Sequence, residues 1–515
     1  MLAAISRQPR TQKSQSVSIA APIGGWNARD PLGAMAPLDA VTLQNMWPGT
    51  SSVIVRYGYS VFATVAGQSE TLFSYSSGSA NKLFTVNAGK IYDITAGGTV
   101  TSASVSSLTN SRFQYVNMTT TGGSYIMAVN GADKLRTFDG AAWHIDGDGA
   151  PYDITGFDSA TSPNIVLFKN RIWLLQNNTL KAWYLPINSI GGAATALDMS
   201  SIARDGGYLM AAATWTLDAG YGMDDYLAFI TSNGEALVWR LTDPTTPSGI
   251  SLIGSYSLGA PVGRRCMIKY GGDLLIITQD GVVPMASALQ SSRLDPRVSL
   301  TDKIQFAVSA AITTYGSNFG WQLCNFQKQN QLYINVPVQE GLSQQQFVMN
   351  TITKAWCNFT GWAANVFEIY ADNLYFGGSG FIARAWNTQA DNTANIQTFG
   401  LQSFQSYRSA IEKRCSMLRP HFLTNGNPTV YGNVNVDYDL SDTSAQLSYT
   451  PITAGVWDSS TWDSGVWGSD MVTLTGWQTA TGIGYTFAPV IKTGSQGIRL
   501  EWVSTDLVFE GGGIL

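Results

Sequence analysis

Closely spaced carboxylates are the first candidates for chemistry in this chain. Residues 146–149, Asp-Gly-Asp-Gly, are followed by Asp153, and together they place oxygen atoms at the spacing of a calcium-binding loop. The positions that follow lack the bidentate Glu that completes such a loop, so a solvated turn is the better interpretation. Asp224-Asp225 resembles a paired-acid site only in composition, because adjacent strand side chains point to opposite faces. We expect these two to be turn residues.

The sequence offers few residues for histidine-dependent nucleophilic catalysis. The chain has only two histidines, His144 and His421, and neither lies near a Gly-x-Ser-x-Gly elbow. No glycine loop has phosphate-cradle spacing either. The sequence therefore predicts no catalytic residue, no cofactor and no metal ligand set, and we expect the protein not to be an enzyme.

Three tryptophans, Trp457, Trp462 and Trp467, recur at a spacing of five in VWDSSTWDSGVWG. If exposed, they would stack on sugar rings and bind a glycan. An odd spacing changes the face in a straight strand, so turns at the Asp-Ser segments must intervene. Residues 461–467 also resemble the sialidase Asp-box, one residue short and present once. Packing between two hairpins is the better interpretation.

The four cysteines are far apart in the sequence, and no pair has metal-ligand spacing. They are Cys266, Cys324, Cys357 and Cys415. Four reduced, buried thiols are the expectation, as in a protein assembled in a reducing cytosol.

The composition favours strands over helices. Hydrophobic residues make up 44% of the 515 residues and charged residues only 13%, with 52 Gly, 16 Trp and 22 Tyr. Helix surfaces normally carry Glu, Lys and Arg, whereas glycine turns and aromatics on pleated faces are typical of β-proteins. The expected fold class is all-β.

One pattern recurs between Lys82 and Trp386: an apolar strand, a turn rich in Asn, Asp and Gly, and a second apolar strand. The corresponding first strands are marked by Phe84, Met127, Phe168, Phe229, Ile276, Tyr333 and Tyr375. Their separations of roughly 40 to 60 residues match one four-stranded propeller blade. The sequence predicts a β-propeller of six or seven blades, with a pair of β-sandwiches as the alternative.

Four regions follow from this pattern. Residues 1–20 are polar and mildly basic, lack the apolar stretch of a signal peptide, and are expected to form a flexible arm. Residues 21–60 form an extended lead-in with a short helix, Ala40 to Met46, capped by Asp39 and stopped by Pro48. Residues 61–394 form the propeller, and residues 395–515 a C-terminal β-sandwich platform.

The charge balance argues against sequence-specific binding of nucleic acid. The net charge is −5 and the sequence pI is about 5.1, whereas a sequence-reading nucleic-acid binder normally carries a basic face. No run of about 18 apolar residues is present, so no membrane span is expected.

Both ends of the chain resemble one family. The lead-in residues concerned are Gly24, Gly25, Trp26, Asn27, Ala28, Arg29, Asp30, Pro31, Leu32, Met35, Pro37, Asp39, Ala40, Asn45, Trp47, Pro48, Arg56, Tyr57 and Gly58. The C-terminal segments concerned are 477–484 and 500–512. They resemble the podophage (short-tailed bacteriophage) tail nozzle proteins, also called tail tubular protein B, whereas the middle matches only in strand rhythm.

The resemblance implies a virion structural protein assembled in the host cytoplasm. It implies a homo-oligomer, a hexameric ring below the portal and adaptor (the head-to-tail connector), with tail fibre or spike proteins as neighbours. DNA would pass through the channel during ejection without sequence-specific binding, and the distal end could contact the host envelope. The alternatives are a receptor- or glycan-binding tail-tip propeller, with or without glycan-degrading activity, and a channel plug or tail stabilisation protein.

Charged residues supply candidate contacts within such a ring. The candidates for intersubunit or adaptor salt bridges are Arg29, Asp30, Glu412, Lys413, Arg414 and Arg419. Ordinary surface solvation explains these charges equally well.

Overall fold

The computed structural model describes residues 14–78, 80–218, 223–288, 299–407, 409–441, 446–450 and 471–511. The chain divides into two compact units. The first, here the sandwich unit, comprises Met1–Gly58, Asn350–Phe359 and Thr388–Leu515, and the second, the propeller unit, comprises Tyr59–Met349 and Thr360–Asn387. Both ends of the chain therefore belong to one unit, and most of the other unit is inserted between them.

The propeller unit contains seven antiparallel sheets within its described residues, here called blades 1 to 7 in chain order. Their strands are as follows: blade 1, the second half of Tyr59–Ser76, Asn81–Asn87 and Lys90–Asp93; blade 2, Gln114–Thr120, Gly123–Val129, Arg136–Phe138 and Trp143–Ile145; blade 3, Asn164–Phe168, Arg171–Leu175, Lys181–Tyr184 and Thr195–Asp198; blade 4, Leu209–Asp218, Met223–Thr231, Glu235–Leu241 and Ile250–Ser257; blade 5, Met267–Tyr270, Asp273–Thr278 and Gly281–Pro284; blade 6, Gln322–Phe326, Gln331–Gln339 and Ser343–Asn350; blade 7, Val366–Tyr370, Asn373–Gly377, Ser379–Ala385 and the first half of Tyr59–Ser76.

Short additional elements lie between the blades and around them. They are the strands Gly98–Thr99, Ile154–Thr155 and Gly192–Ala193, the α-helices Met285–Ala288 and Gln305–Tyr315, and the 3-10 helices Ser159–Thr161, Pro247–Gly249, Asp302–Ile304 and Gln327–Gln329.

The seven blades form a closed ring. The first strand of each blade contacts the first strands of both neighbouring blades, including blade 7 with blade 1. One long strand, Tyr59–Ser76, makes the closure: its first half pairs with Ser379–Ala385 and its second half with Asn81–Asn87. The predicted β-propeller is confirmed, and the described sheets number seven.

Tight turns connect the strands as the hairpin pattern predicts. Lys169-Asn170 joins the first two strands of blade 3 with φ of 47° and 54°, and Ala371-Asp372 does the same in blade 7 with φ of 46° and 56°. Two consecutive residues with positive φ are the mark of the type I′ turn, whose twist matches that of the strands it joins.

Aromatic side chains fill the space between neighbouring blades. Phe84 of blade 1 lies 4.9 Å from Phe138 of blade 2, ring centre to ring centre, at 67°, and Tyr75 packs edge-on against the same ring at 5.2 Å. Phe73 and Phe113 belong to the same buried cluster. Burying each such side chain contributes about 1.5–3 kcal/mol, which a blade on its own cannot obtain.

The sandwich unit consists of two sheets. Sheet I contains Gln15–Ala20, Met46–Pro48, Val53–Val55, Lys413–Thr424, Val472–Thr475, Gln478–Gly484 and Leu500–Gly511. Sheet II contains, within this unit, Gly25–Trp26, Asp39–Gln44, Trp356–Phe359, Ile396–Gln402, Thr429–Val436 and Phe487–Ser495. The sheets pack face to face at Gly400 of sheet II, where an added Cβ would lie 3.0 Å from Met46 Sδ and from Trp502 Cζ3 of sheet I.

Three local predictions are wrong. Residues 40–46 form no helix, because Asp39–Gln44 pairs with Ile396–Gln402 and Asn45 follows with φ of 55°. The last residues of the expected flexible arm form the strand Gln15–Ala20, which pairs with Leu500–Gly511. Asp224 and Asp225 lie within the strand Met223–Thr231 instead of in a turn.

A buried ion pair holds the lead-in to the segment that follows the propeller. The Arg56 side chain is 0% exposed, and its Nη1 and Nη2 donate to the two carboxylate oxygens of Asp391 at 2.8 and 2.6 Å. Its Nε donates to Asn45 Oδ1 at 2.8 Å. A bidentate pair of this kind tolerates burial because both partners keep their hydrogen bonds.

Replacing Arg56 by Met should lower the free energy of unfolding by about 3–5 kcal/mol, because Asp391 is left as an uncompensated charge. Urea unfolding followed by tryptophan fluorescence measures the change. Arg29→Met, at a side chain that is 38% exposed, should cost less than about 1 kcal/mol. The double variant Arg56→Met/Asp391→Asn should recover part of the loss, and equal losses at Arg56 and Arg29 would contradict this account.

Candidate functional site at the propeller axis

The first strands of the blades converge on a cavity of about 220 Å³ at the axis of the propeller unit. Every blade contributes lining residues, among them Thr71, Tyr115, Asn164, Ala212, Met267, Gln322 and Glu368. Axial cavities are where a propeller brings side chains from all its blades together, so this is the first place to look for a site.

A buried carboxyl group lies at this axis. Ser74 Oγ of blade 1 donates to Glu368 Oε1 of blade 7 at 3.0 Å, and the Tyr115 hydroxyl of blade 2 lies 3.0 Å from the same Ser74 oxygen. Burial raises the pKa of Glu368 to about 7, against the opposing hydrogen bonds of Tyr115 and Ser74. Burial and the charge of Glu368 also raise the pKa of Tyr115. Such a perturbed carboxyl group is a candidate acid or base.

Arg265 crosses the axis. It precedes the first strand of blade 5, and its Nη2 donates to Thr71 Oγ1 at 2.9 Å and to the carbonyl oxygens of Glu70 and Phe113 at 3.0 Å each. Burial lowers its pKa to about 10, so the guanidinium stays charged at neutral pH. Blades 5, 1 and 2 are thereby joined across the centre of the ring.

A second cavity of about 370 Å³ adjoins this one on the Arg265 side. Arg112, which lines it, pairs with Glu70 at 3.0 Å and Glu340 at 2.5 Å and covers the Phe319 ring at 4.3 Å. Arg264 donates longer hydrogen bonds, to the Met210 carbonyl oxygen at 3.3 Å and to Asn177 Oδ1 at 3.4 Å. Burial lowers the pKa of Arg264. The volume falls at the low end of ligand pockets, roughly 300–1,000 Å³, so the cavity suits water or a small anion.

The chemistry available at the axis is limited by size and by the number of acids. Among the described residues that line the 220 Å³ cavity, Glu368 is the only carboxylic acid. Glycoside hydrolysis ordinarily needs two carboxyl groups flanking the bond that is broken. The cavity, at about 220 Å³, is also smaller than a typical ligand pocket.

The charged residues that the sequence suggested as salt-bridge candidates lie in the sandwich unit. Several of them bond to other residues of the same chain. Arg29 Nε donates to Asp30 Oδ1 at 2.7 Å. Lys413 is buried, and its Nζ donates to the carbonyl oxygens of Ser409 and Tyr485 at 2.7 Å each. The Lys413 amine therefore bonds to backbone carbonyl oxygens of its own chain.

Arg419 also bonds within the sandwich unit, although its side chain is 35% exposed. Its Nη2 donates to Asp506 Oδ2 at 2.6 Å, and its guanidinium lies 4.5 Å from the Trp477 ring centre. Glu412 is half-buried and Arg414 is exposed, so these two remain accessible to a partner.

The remaining sequence candidates show no catalytic geometry. Asp146 accepts hydrogen bonds from Ile154 N at 2.8 Å and from Ser159 Oγ at 2.6 Å. These are the bonds of a carboxylate that stabilises a turn. His144 is stacked on Tyr152 at 3.9 Å. The three tryptophans of residues 456–468 lie outside the described residues.

Among the described residues, no group of three or more His, Cys, Asp or Glu side chains could hold a metal ion. None of the helices in that part of the chain is long and apolar enough to cross a membrane.

Arg265 and Glu368, the residues that define the axis, were missed from sequence. Glu368 interrupts an otherwise apolar strand, VFEIY, which is the one local sign that a charge would be buried there. Nothing local distinguishes Arg265, because its partners lie 152 to 195 residues away along the chain.

No family model and no curated protein matches the chain. Solved structures with a similar fold include BBS1N in complex with ARL6DN (10% identity, 65% of this chain, 97% of that chain, TM-score 0.40). Others are the Cps50 (Swd1) β-propeller domain of Myceliophteria thermophila (12%, 64%, 100%, 0.38) and YCF48 from Cyanidioschyzon merolae (10%, 66%, 97%, 0.33). These similarities concern the fold alone.

Glu368 should make the stability of the propeller depend on pH. Because its folded pKa is raised from 4.5 to about 7, the folded state binds the proton more tightly, and stability falls as pH rises through that window. Glu368→Gln should remove up to about 3 kcal/mol of this loss. In thermal unfolding from pH 4.5 to 8, the melting temperature of the variant should rise relative to that of the wild type as the pH increases.

The same substitution at Glu340, whose side chain is 38% exposed, controls for the loss of one negative charge. Parallel pH profiles for wild type and Glu368→Gln would contradict the assignment of the titrating group.

All four cysteines are free and buried, as predicted. Burial raises the pKa of Cys266 to about 12 and that of Cys415 to about 11, and it raises those of Cys324 and Cys357 as well. Since the thiolate is the reactive form, a thiol reagent such as DTNB should modify the native protein at least about a hundredfold more slowly than the urea-unfolded chain. Rapid modification of any native thiol would contradict this.

Proposed function

We propose that this chain is a structural subunit of a short phage tail, of the tail nozzle type. In this proposal six copies form a ring below the portal and adaptor, and DNA leaves through the channel that the ring encloses. The protein acts by assembly, without catalysis, and resides in the virion.

One observation carries the proposal: the lead-in residues that resemble the tail nozzle proteins are the residues that build the sandwich unit. Gly25 has φ of 80°, and an added Cβ would lie 2.6 Å from the Trp356 carbonyl oxygen. Asn27 Nδ2 donates to Asp39 Oδ2 at 2.8 Å, and Arg56 makes the buried pair described above. These roles explain why such residues would recur in proteins that share this platform.

The second end that carries the resemblance lies in the same unit. Residues 500–511 form the central strand of sheet I, which pairs with Lys413–Thr424 on one side and with Gln15–Ala20 and Val53–Val55 on the other. Two resembling segments more than 400 residues apart in sequence therefore serve one structure. A chance likeness at the two ends would not be expected to converge in this way.

The size of the axial cavity bears on where DNA would pass. Arg265 joins blades 5, 1 and 2 there, and a cavity of about 220 Å³ is too small to hold a DNA duplex. The ejection channel of the proposed ring would therefore run between subunits. The acidic balance of the chain suits such a surface, because each additional Lys or Arg contact to phosphate would slow the passage of DNA.

The glycan-degrading alternative gains no support from the small axial cavity with its one carboxyl group. A receptor-binding role and a channel plug differ from the nozzle in location and symmetry, which imaging separates.

Purified protein, alone and mixed with its adaptor, should form rings of six copies in negative-stain images, with a mass near six times 55.5 kDa by light scattering. Antibody labelling should place the protein at the tail of intact particles. A chain that remains monomeric with the adaptor present, and is missing from purified particles, would overturn the proposal.

A blank glycan array and a blank hydrolysis assay on the same preparation would remove the tip-propeller alternative. Glycan binding that is lost in Trp462→Ala would favour that alternative over the nozzle.

A further inference from the structure

One edge of sheet I is an unprotected strand. Among the described strands, Gln15–Ala20 pairs on one side only, with Leu500–Gly511. Its sequence, QSVSIA, has no charge and no proline, although proteins usually place Lys, Pro or a bulge on a free edge to prevent pairing with another chain. The Ala20 carbonyl oxygen accepts from Gln402 Nε2 at 2.8 Å, and the rest of this edge, Gln15 to Ile19, can pair with a further strand.

An apolar groove of about 610 Å³ runs alongside this edge. Its apolar lining comes from Val17, Ile19, Pro37 and Leu38, with the Tyr407 ring, and Leu38 is 41% exposed. A strand added to the edge would place its side chains next to this groove.

The opposite edge of sheet I carries matching features. Among the described strands, Val472–Thr475 and Gln478–Gly484 both pair with Lys413–Thr424 on one side only, and no residue from 472 to 485 is charged. Large apolar side chains lie in and directly after the second of these strands: Ile483 is 64% exposed and Tyr485 is 55% exposed. Exposed apolar residues that cluster along one edge mark an interaction site.

We propose that sheet I continues from one copy of the chain to the next. The edge Gln15–Ala20 of one copy pairs with the edge Gln478–Gly484 of its neighbour. Ile483 of the second copy, which lies on the same face of sheet I as Ser16 of the first, becomes covered at the junction. The occupant is a second copy because the two edges belong to one sheet, have similar lengths of six and seven residues, and carry no opposing charge. A different partner on one edge would leave the other unpaired.

The symmetry follows from this pairing. Because two different edges meet, the interface is head-to-tail, and repetition closes a ring when the rotation between copies allows it. The inference therefore rests on the proposed ring and identifies the surface that builds it. A two-fold dimer, in which one edge meets itself, is excluded by the same pairing.

Cross-linking tests the direction of the interface. Ser16→Cys and Ile483→Cys place one accessible thiol on each edge, while the four native thiols are buried. Within one chain the two positions are three strand spacings apart across the sheet, about 14 Å, and are also offset along the strands, so a bismaleimide shorter than this cannot join them. The double variant should give a ladder of covalently linked copies, and a mixture of the two single variants should give only a two-chain product.

Self-linking of either single variant would indicate a two-fold interface and overturn the proposal. A double variant that forms rings but yields no ladder would overturn it too.

Disruption of the edge tests its contribution. Ile483→Lys should lower the fraction of assembled protein at least tenfold at equal concentration, with an unchanged melting temperature of the monomer. Leu342→Lys, at a side chain that is 65% exposed in the propeller unit, is the matched control and should assemble as the wild type does. If wild-type rings form and both variants assemble equally, the edge pairing fails and the proposed function stands. If the wild type never assembles, the proposed function fails.

Discussion

The pairing of strand Tyr59–Ser76 with both the last and the first blade is the constraint on which the propeller depends. A single blade cannot bury both its faces, so its stability comes from the neighbouring blades. Every blade has two neighbours only if the ring closes. The polar groups at the axis reinforce the same junction. Ser74 lies on this strand and joins it to Glu368 of blade 7, and Arg265 ties the adjoining blades 1 and 2 to blade 5.

The sandwich unit relies on a different kind of closure. Its strands come from both ends of the chain and from Asn350–Phe359, and buried polar groups fix how these segments meet. The ion pair of Arg56 and Asp391 is the clearest case, because a buried guanidinium is tolerated only where its partners lie in one geometry. Such a pair adds specificity to an interface between segments that are otherwise joined by strand pairing.

Local patterns predicted the hairpins but not the long-range polar contacts. Turns such as Lys169-Asn170 between two apolar runs identify blade 3 from a few neighbouring residues. By contrast, the helix expected at Ala40 to Met46 is overridden by pairing with Ile396–Gln402, more than 350 residues away. Arg265 and Glu368 were missed for the same reason, since their partners are remote in sequence.

The candidate charges show where composition misleads. Lys413 and Arg419 lie in the densest charged segment of the chain, which suggested an exposed contact surface. Lys413 instead satisfies backbone carbonyls inside the sandwich unit, and Arg419 pairs with Asp506. The proposed interaction surface lies at uncharged sheet edges, where sequence alone offers no contrast with an ordinary buried strand.

The insertion of the propeller between the two halves of the sandwich unit has a consequence for biosynthesis. The lead-in strands are translated before the propeller, whereas Lys413–Thr424 and Leu500–Gly511, with which sheet I is completed, are translated after it. Met46–Pro48 can pair with Val53–Val55 at once, but the nascent lead-in lacks its partners in Lys413–Thr424 and Leu500–Gly511 until more than 300 further residues have been made. Because Gln15–Ala20 pairs with Leu500–Gly511, newly made chains acquire this edge for assembly only after the whole propeller has been translated.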